Sequence, residues 1–231
     1  MVVGLSGGVD SAVVGALCVR ALGRNRVLAA LLPSRHTPPR DTEDAVGMTE
    51  AWSVRRVDVA ISPLVDSLVT AAGSEASKLA LANVQARVRM TILYYLANSQ
   101  NLLVAGTGDR SEELLGFFTK YGDGGVDLLP IAHLYKTQVR LMGGHLGLPI
   151  AVVKKPASPQ LWLGHTVEEE LPAGYEKLDI VMHHLFDDGD SAFEASKKAG
   201  VSRSVADRVL EMHSRSAHKR ALPPSLRPST G

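Results

Sequence analysis

Residues 6–11, SGGVDS, have the types and spacing of a phosphate-binding loop. They follow a short apolar segment and precede a helical pattern. A strand that ends in Ser-Gly-Gly and leads into a helix places several free backbone N–H groups at the positive end of the helix dipole. Side chains at Gly7 and Gly8 would block the close approach of an anion, so glycine at both positions favours a phosphate ligand.

A carboxylate beside this loop indicates a cation. Asp10 would repel phosphates unless a positive ion lay between them, and this combination is typical of a magnesium nucleotide. Ser6 and Ser11 add hydroxyl donors. The motif is not a Walker A loop, because no Gly-Lys-Ser/Thr follows at the required spacing, and it is not a GxGxxG fingerprint. A plain glycine turn with an Asp near a helix start is the alternative interpretation.

Strand-like and helix-like segments alternate along much of the chain. Short β-branched or Leu-rich runs predict strands, and longer amphipathic stretches predict helices. Strands separated by helices favour a parallel sheet that is covered on both faces. In residues 107–134, glycines and charged residues interrupt this alternating pattern. Residues from about 174 to 215 have a helical and polar pattern. The predicted strands are 2–5, 26–32, 53–59 and 101–105, and the predicted helices are 11–23, 41–52, 77–99 and 135–146.

The composition excludes several classes of protein. Lys and Arg total 25 against 24 Asp and Glu, which argues against a general nucleic-acid binder. The single Cys18 excludes an intrachain disulfide and a multi-Cys zinc site, and we expect a buried, packed thiol there. No apolar run approaches the ~20 residues of a membrane span, and no charged n-region precedes the first strand. A cytoplasmic protein without a membrane partner is therefore expected.

SGGVDS resembles the signature of the ATP pyrophosphatases, or PP-loop enzymes. That resemblance implies a loop that grips the β,γ-pyrophosphate while ATP is split between its α- and β-phosphates. The segments NVQARVRM, GTGDRSE, GFFTKYGDGGVDLLPIAHLYKTQVR and AHKR are together similar to ammonia-dependent NAD+ synthetase, from residue 2 to about 220. This family implies a C–N-forming ligase: the carboxylate of deamido-NAD+ is adenylated and then attacked by ammonia, which gives NAD+, AMP and pyrophosphate.

The resemblance also implies the fold and the ATP site. We expect an α/β, doubly wound, five-stranded parallel sheet of the adenine nucleotide alpha hydrolase type, with a helical C-terminal region. Asp10 and Glu112 match the family's magnesium ligands, and with Lys136, a phosphate contact, they form the expected catalytic set. The positions that match ATP contacts are Gly4, Leu5, Ser6, Gly7, Gly8, Val9, Asp10, Ser11, Thr107, Lys136 and Ser158.

Five further positions match residues that bind deamido-NAD+, namely Arg87, Lys120, Asp127, His218 and Lys219. Arg and Lys are suitable partners for the pyrophosphate of a dinucleotide. Transfer of an α-phosphoryl group needs cations and N–H donors rather than a protein nucleophile. Taken singly, each of these charges is more typical of a solvated surface, and only their joint pattern supports the assignment.

Residues 1–221 are expected to form one domain, followed by a flexible tail at 222–231. The family implies a homodimer, with ammonia taken up free or delivered by a separate glutaminase partner. The family also has a helix ahead of the first strand, so we expect another element or a second subunit to cover that face, or a natural start upstream. His165 and Val167 stand where the family has Gln and Asp, so the carboxylate role of this closing loop would pass to Glu168 or Glu170, or be weakened.

Other functions of the same loop stay open. The nearest is another PP-loop amidotransferase subunit, such as the synthetase part of GMP synthetase. A tRNA-thiolating enzyme is disfavoured, because neither catalytic cysteines nor a basic RNA-binding module is visible. A non-catalytic sensor of adenine nucleotides is a different class again. The acid that supports pyrophosphate release separates the enzymes, and ATP binding without AMP formation would indicate the sensor.

Overall fold

A computed structural model of the chain describes residues 1–73, 76–158, 162 and 170–225. Its four strands form one parallel sheet in the order β3-β2-β1-β4. Val3 in β1 is paired with Ala29 on one side and Ala105 on the other. The strands are β1 (Val2–Gly4), β2 (Leu28–Leu31), β3 (Arg55–Asp58) and β4 (Val104–Ala105).

Ten α-helices surround and extend this sheet within the described residues. The four helices predicted from the sequence are present, each with ends within two residues of the prediction. A further helix at 62–72 was not predicted, although Pro63 in its first turn and the left-handed Gly73 after its end are typical helix signals. The helices are α1 (Val9–Leu22), α2 (Pro39–Trp52), α3 (Ser62–Ala72), α4 (Lys78–Gln100), α5 (Arg110–Leu115), α6 (Lys136–His145), α7 (Ile150–Val153), α8 (Tyr175–Phe186), α9 (Ala192–Ala199) and α10 (Arg203–Arg215).

The sheet is doubly wound, because side chains alternate between two helix layers. Val3 and the strand residues on the same face of the sheet pack against α1, α2 and α6. Val2 and its neighbours pack against α3 and α4 on the opposite face. Both valines are fully buried, so β1 is the central strand that a loop-bearing strand of a parallel sheet was predicted to be.

The expectation of a fifth strand was wrong, since four strands are present among the described residues. The chain returns beside β4 at Leu128, where it forms a single parallel bridge with Ala105. Gly106 N donates to Leu128 O at 2.8 Å. Pro130 follows almost at once and brings no N–H donor, and Gly125 lies just before, so the pairing stops at one bridge.

The predicted helical C-terminal region corresponds to α8–α10. Their core is apolar and includes Leu178, Met182 and Val209, all fully buried. Cys18 is buried within α1, as expected for a packed thiol. No helix in the described ranges has the length and apolar character needed to cross a membrane.

Candidate active site

A cavity of about 430 Å³ opens at the carboxyl ends of β1, β2 and β4. β1 lies between β2 and β4, and the strand order changes direction there, because the chain continues from β1 to β2 on one side and later adds β4 on the other. Open α/β sheets bind ligands at such a switch point. Glu170, one of the two predicted closing-loop carboxylates, also lies on this cavity, whereas His165, Val167 and Glu168 lie outside the described residues. The predicted site residues that line the cavity are Gly4, Leu5, Ser6, Gly8, Val9, Asp10, Ser11, Thr107, Glu112, Lys136, Ser158 and Lys219.

Gly7 does not line the cavity, and the packing of the loop requires glycine at this position. Its φ is +80°, a conformation that other residues rarely adopt. A Cβ on Gly7 would lie 2.1 Å from the carbonyl oxygen of Asp41 in α2. The close packing of the loop against α2 therefore requires glycine here. Gly8 meets the original expectation better, because an added Cβ there would find only Ser6 Oγ, at 3.4 Å.

The serine hydroxyls brace the loop from within. Ser6 N donates to Ser11 Oγ at 3.2 Å, and Ser11 Oγ donates to Gly8 O at 3.0 Å. Gly8 N donates to Ser6 Oγ at 3.3 Å. Ser11 is buried, whereas Ser6 is exposed on the cavity side. Ser11 thus shapes the loop, and Ser6 is the hydroxyl that remains accessible to a ligand.

Lys136, at the first position of α6, is the centre of the charged part of the site. Its side chain is 1% exposed. The ammonium contacts three carboxylates, Asp10 Oδ1 at 2.8 Å, Asp109 Oδ2 at 2.9 Å and Glu112 Oε1 at 2.9 Å. The three residues of the predicted catalytic set are thereby brought together around one nitrogen.

This cluster has more negative than positive charge, and the pKa values reflect it. Burial, with the neighbouring carboxylates, raises the pKa of Asp109 to about 6 and that of Glu112 to about 8. Burial opposes the charged form of Lys136, but the three carboxylates hold its pKa well above the usual value. Asp10 and Glu112 are 24% and 23% exposed and face the cavity. Carboxylate oxygens with surplus charge at an accessible surface fit a magnesium ion.

Asp109 was missed by the sequence analysis, although it belongs to the quoted segment GTGDRSE. Its side chain is fully buried. Besides contacting Lys136, its Oδ1 accepts from Glu112 N at 2.8 Å, and Glu112 Oε2 accepts from Asp109 N at 3.3 Å. This reciprocal capping box orients the Glu112 side chain at the start of α5. An Asp three residues before a Glu was the signal that could have found it.

A buried carboxylate on α8 holds the two helices that carry this cluster. Asp179 Oδ1 accepts from Ser111 Oγ at 2.6 Å, and its Oδ2 accepts from Thr137 N at 2.8 Å. Ser111 Oγ in turn accepts from Lys136 N at 2.9 Å. Asp179 therefore fixes the start of α6 against α5, and with it the separation of Lys136 and Glu112.

Four of the five residues assigned to the dinucleotide form a second cluster. Arg87 Nη2 donates to Lys120 O at 3.3 Å, and Lys120 Nζ donates to His218 O at 2.5 Å. Lys219 Nζ donates at 2.7 Å to the carbonyls of Gly116 and Phe118 and is the member that reaches the cavity. The C-terminal 3-10 helix at 217–219 thus contacts the segment after α5, in agreement with a shared site.

Asp127, the fifth residue, lies apart from that cluster. Its Oδ2 accepts from Val104 N at 2.7 Å and its Oδ1 from Tyr94 Oη at 3.1 Å. Asp127 therefore connects the edge of β4 to α4. Arg89, which was not predicted, does line the cavity, and burial lowers its pKa to about 10. Its Nε donates to Leu32 O at 3.0 Å, which places a partly desolvated cation near the carboxyl end of β2.

Residues 1–223 match the family model for NAD synthase. Among curated relatives, the NH(3)-dependent NAD(+) synthetase of Hyperthermus butylicus is 51% identical over 230 residues, covering 99% of this chain and 83% of the relative. The NH(3)-dependent NAD(+) synthetase of Archaeoglobus fulgidus is 45% identical over 228 residues, covering 98% of this chain and 88% of the relative.

Two solved structures have the same fold over nearly the whole chain. The NMN synthetase of Francisella tularensis has a TM-score of 0.85 at 35% identity and covers 99% of this chain and 88% of its own. The NH3-dependent NAD synthetase of Campylobacter jejuni has a TM-score of 0.81 at 27% identity, with 98% and 88% covered.

Proposed function

The chain belongs to the NAD synthase family, and on that premise we propose that it makes NAD+ from deamido-NAD+, ATP and ammonia. The observation that carries the proposal is the buried Lys136 with its three carboxylates, which opens on the same cavity as the glycine loop. Such a cluster suits phosphoryl transfer, because it provides a fixed positive charge and a seat for a divalent cation without a protein nucleophile.

ATP is proposed to lie along the loop of residues 4–11 and to contact Thr107 and Ser158, which also line the cavity. Asp10 and Glu112 would hold Mg²⁺, which when bound supplies Lewis-acid stabilisation of the phosphate charge. Lys136 keeps its proton, and its ammonium is positioned to stabilise charge that develops on the phosphates. The Ser6 hydroxyl, which accepts from Gly8 N–H, is a further polar group at the same edge.

The reaction divides into two steps that balance. In the first, a carboxylate oxygen of deamido-NAD+ attacks the α-phosphorus of ATP, and the bond to the β,γ-pyrophosphate breaks. In the second, ammonia attacks the activated carbonyl, loses a proton to solvent, and AMP leaves with one of the original carboxylate oxygens. The protein's part is to bring the two nucleotides together, since proximity alone can supply several kcal/mol of the barrier.

The dinucleotide is proposed to bind at the cluster of Arg87, Lys120, His218 and Lys219. Lys120 and Arg87 are exposed or partly exposed and bound to backbone carbonyls rather than to carboxylates, so their charge is available for a phosphate. Lys219, on the cavity wall, connects this cluster to the ATP end. The proposed part of Asp127 is indirect, because both of its oxygens are engaged by β4 and Tyr94.

A panel of acids tests the proposal. Pyrophosphate and AMP are measured with ATP, Mg²⁺ and ammonium in the presence of deamido-NAD+, XMP, nicotinate mononucleotide or no acid. We expect stoichiometric release with deamido-NAD+ and background release with the others. Release with XMP would support the GMP synthetase reading. Release with the mononucleotide would place the activity with the Francisella tularensis relative, an NMN synthetase.

A homodimer in the cytoplasm, using free ammonia or a separate glutaminase, completes the proposal. Exposed apolar side chains on and beside α4 support self-association, because Leu79, Tyr95 and Leu103 are 67%, 70% and 55% exposed. Sedimentation should give twice the mass of the chain, and Tyr95→Glu should shift it toward the monomer. Glutamine alone should not replace ammonium in the assay.

A further inference from the structure

Lys155, which follows α7, connects the glycine loop to α2. Its ammonium donates to Gly7 O at 2.8 Å, Asp41 Oδ1 at 2.7 Å and Asp44 Oδ2 at 2.6 Å. An ammonium has three N–H donors, so every one of them is used. The side chain is 19% exposed and lies on the wall of the cavity. It thus connects the loop to α2 from inside the proposed ATP site.

The hydrogen bond to Gly7 determines how the next peptide faces. The Gly7–Gly8 bond is trans, so its C=O and N–H point to opposite sides. Lys155 holds the carbonyl on the α2 side, and Gly8 N–H consequently points toward Ser6 Oγ, 3.3 Å away, where both residues line the cavity. Glycine on either side of this peptide permits rotation unless a contact prevents it.

The two carboxylates keep Lys155 in this place. Asp41 and Asp44 are only 8% and 20% exposed. If the lysine left to reach a phosphate, its ion pairs with Asp41 and Asp44 would both break, and breaking ion pairs of partly buried carboxylates is costly. The geometry therefore favours a fixed clamp on the loop over a mobile phosphate ligand.

We propose that Lys155 is a positioning residue for ATP, which holds the Gly7–Gly8 peptide with its N–H on the cavity side, where the phosphates are proposed to bind. The inference rests on the proposed function only for the identity of ATP as the ligand. The neighbouring Lys154 is exposed and does not line this cavity, so it is not expected to have this role. Lys155 is expected to affect the phosphate end of the nucleotide and not the adenosine end.

Calorimetric titration with ATP and with adenosine, in Mg²⁺ and without the second substrate, tests this. Lys155→Met should weaken the binding of ATP about tenfold and leave the affinity for adenosine within twofold of wild type. Lys154→Met should change neither affinity. A merely structural defect would weaken both ligands. An unchanged ratio of ATP to adenosine affinity in a folded Lys155→Met would overturn the proposal. If that variant has no cooperative thermal transition, the same pair of titrations is made on Lys155→Gln, which is neutral and places its donor one atom nearer the backbone. The same loss of ATP affinity relative to adenosine is expected there, and an unchanged ratio would overturn the proposal.

Asp44→Asn distinguishes the clamp from a direct ligand. Loosening a clamp should leave ATP affinity equal or lower, whereas freeing a lysine to bind phosphate would raise it, and a rise would contradict the proposal. The amidation assay separates this result from the proposed function. If the wild-type protein binds ATP but does not amidate deamido-NAD+, the proposed function is refuted and the role of Lys155 is not. If Lys155→Met keeps full activity and unchanged affinities, the proposed role of Lys155 is refuted and the function is not.

Discussion

Replacement of Lys136 by methionine removes the cation at the centre of the site and keeps an unbranched side chain that is one atom shorter. Three carboxylates within 2.8–2.9 Å of the lost nitrogen then have no common partner. Each contact is worth on the order of 5 kcal/mol at an effective dielectric constant near 20, but the desolvation of the lysine offsets most of that sum. Loss of one partner from a buried ion cluster leaves a net cost of about 3–5 kcal/mol in the free energy of unfolding.

The cost should depend on pH in a defined direction. The pKa values of Asp109, about 6, and Glu112, about 8, are already raised in the folded protein, and loss of Lys136 should raise them further. A carboxyl group with a raised folded pKa contributes stability that is present below its unfolded pKa, near 4, and lost as pH rises through the folded value. The deficit of Lys136→Met should therefore be smallest near pH 5 and largest near pH 9.

Urea unfolding of wild type, Lys136→Met and the exposed-lysine control Lys154→Met at several pH values measures this. We expect the control to stay within about 0.5 kcal/mol of wild type. Added Mg²⁺ should recover part of the stability of Lys136→Met, because the cation replaces some of the missing charge, while AMP formation should stay at least about 100-fold below wild type. A deficit under about 1 kcal/mol, or one that does not vary with pH, would contradict the reasoning.

Three further predictions concern the loop, the start of α6 and the dinucleotide cluster. Gly7→Ala should cost about 3 kcal/mol or more because its Cβ collides with α2, whereas Gly23→Ala, with a similar φ and open space, should cost about 1–2 kcal/mol in thermal or urea unfolding. Asp179→Asn should lower kcat about tenfold and leave both KM values within about threefold, since it acts through the start of α6; a change confined to KM would exclude that role. Arg87→Ala and Lys120→Ala should each raise the KM for deamido-NAD+ about 10- to 100-fold and that for ATP less than threefold, and equal effects on both substrates would refute the placement.

The parts of the fold that depend on local signals could be predicted from the sequence. The glycine loop, the strand before it and α1 occupy one continuous segment, where chain direction and periodicity determine the structure. Alternating strands and helices gave the doubly wound parallel sheet for the same reason. The fifth strand was predicted wrongly, because a single bridge at Leu128 depends on where Gly125 and Pro130 interrupt the pairing.

The contacts that organise the site are long-range, and the sequence carries little sign of them. Lys155 lies 148 residues from Gly7, and Asp179 lies 68 residues from Ser111. Buried charges such as Asp109 resemble surface residues until packing is known. Gly7 shows the same limit, since Asp41, in a different helix, requires glycine there, and the motif gives no sign of that contact.

Transfer of oxygen-18 tests the central claim most directly. Deamido-NAD+ labelled in both nicotinate carboxylate oxygens is turned over with ATP, Mg²⁺ and ammonium, and the products are examined by mass spectrometry. Adenylation of the carboxylate predicts one labelled oxygen in AMP, one in the amide of NAD+ and none in pyrophosphate. Label in inorganic phosphate with formation of ADP, or AMP without label, would contradict the account.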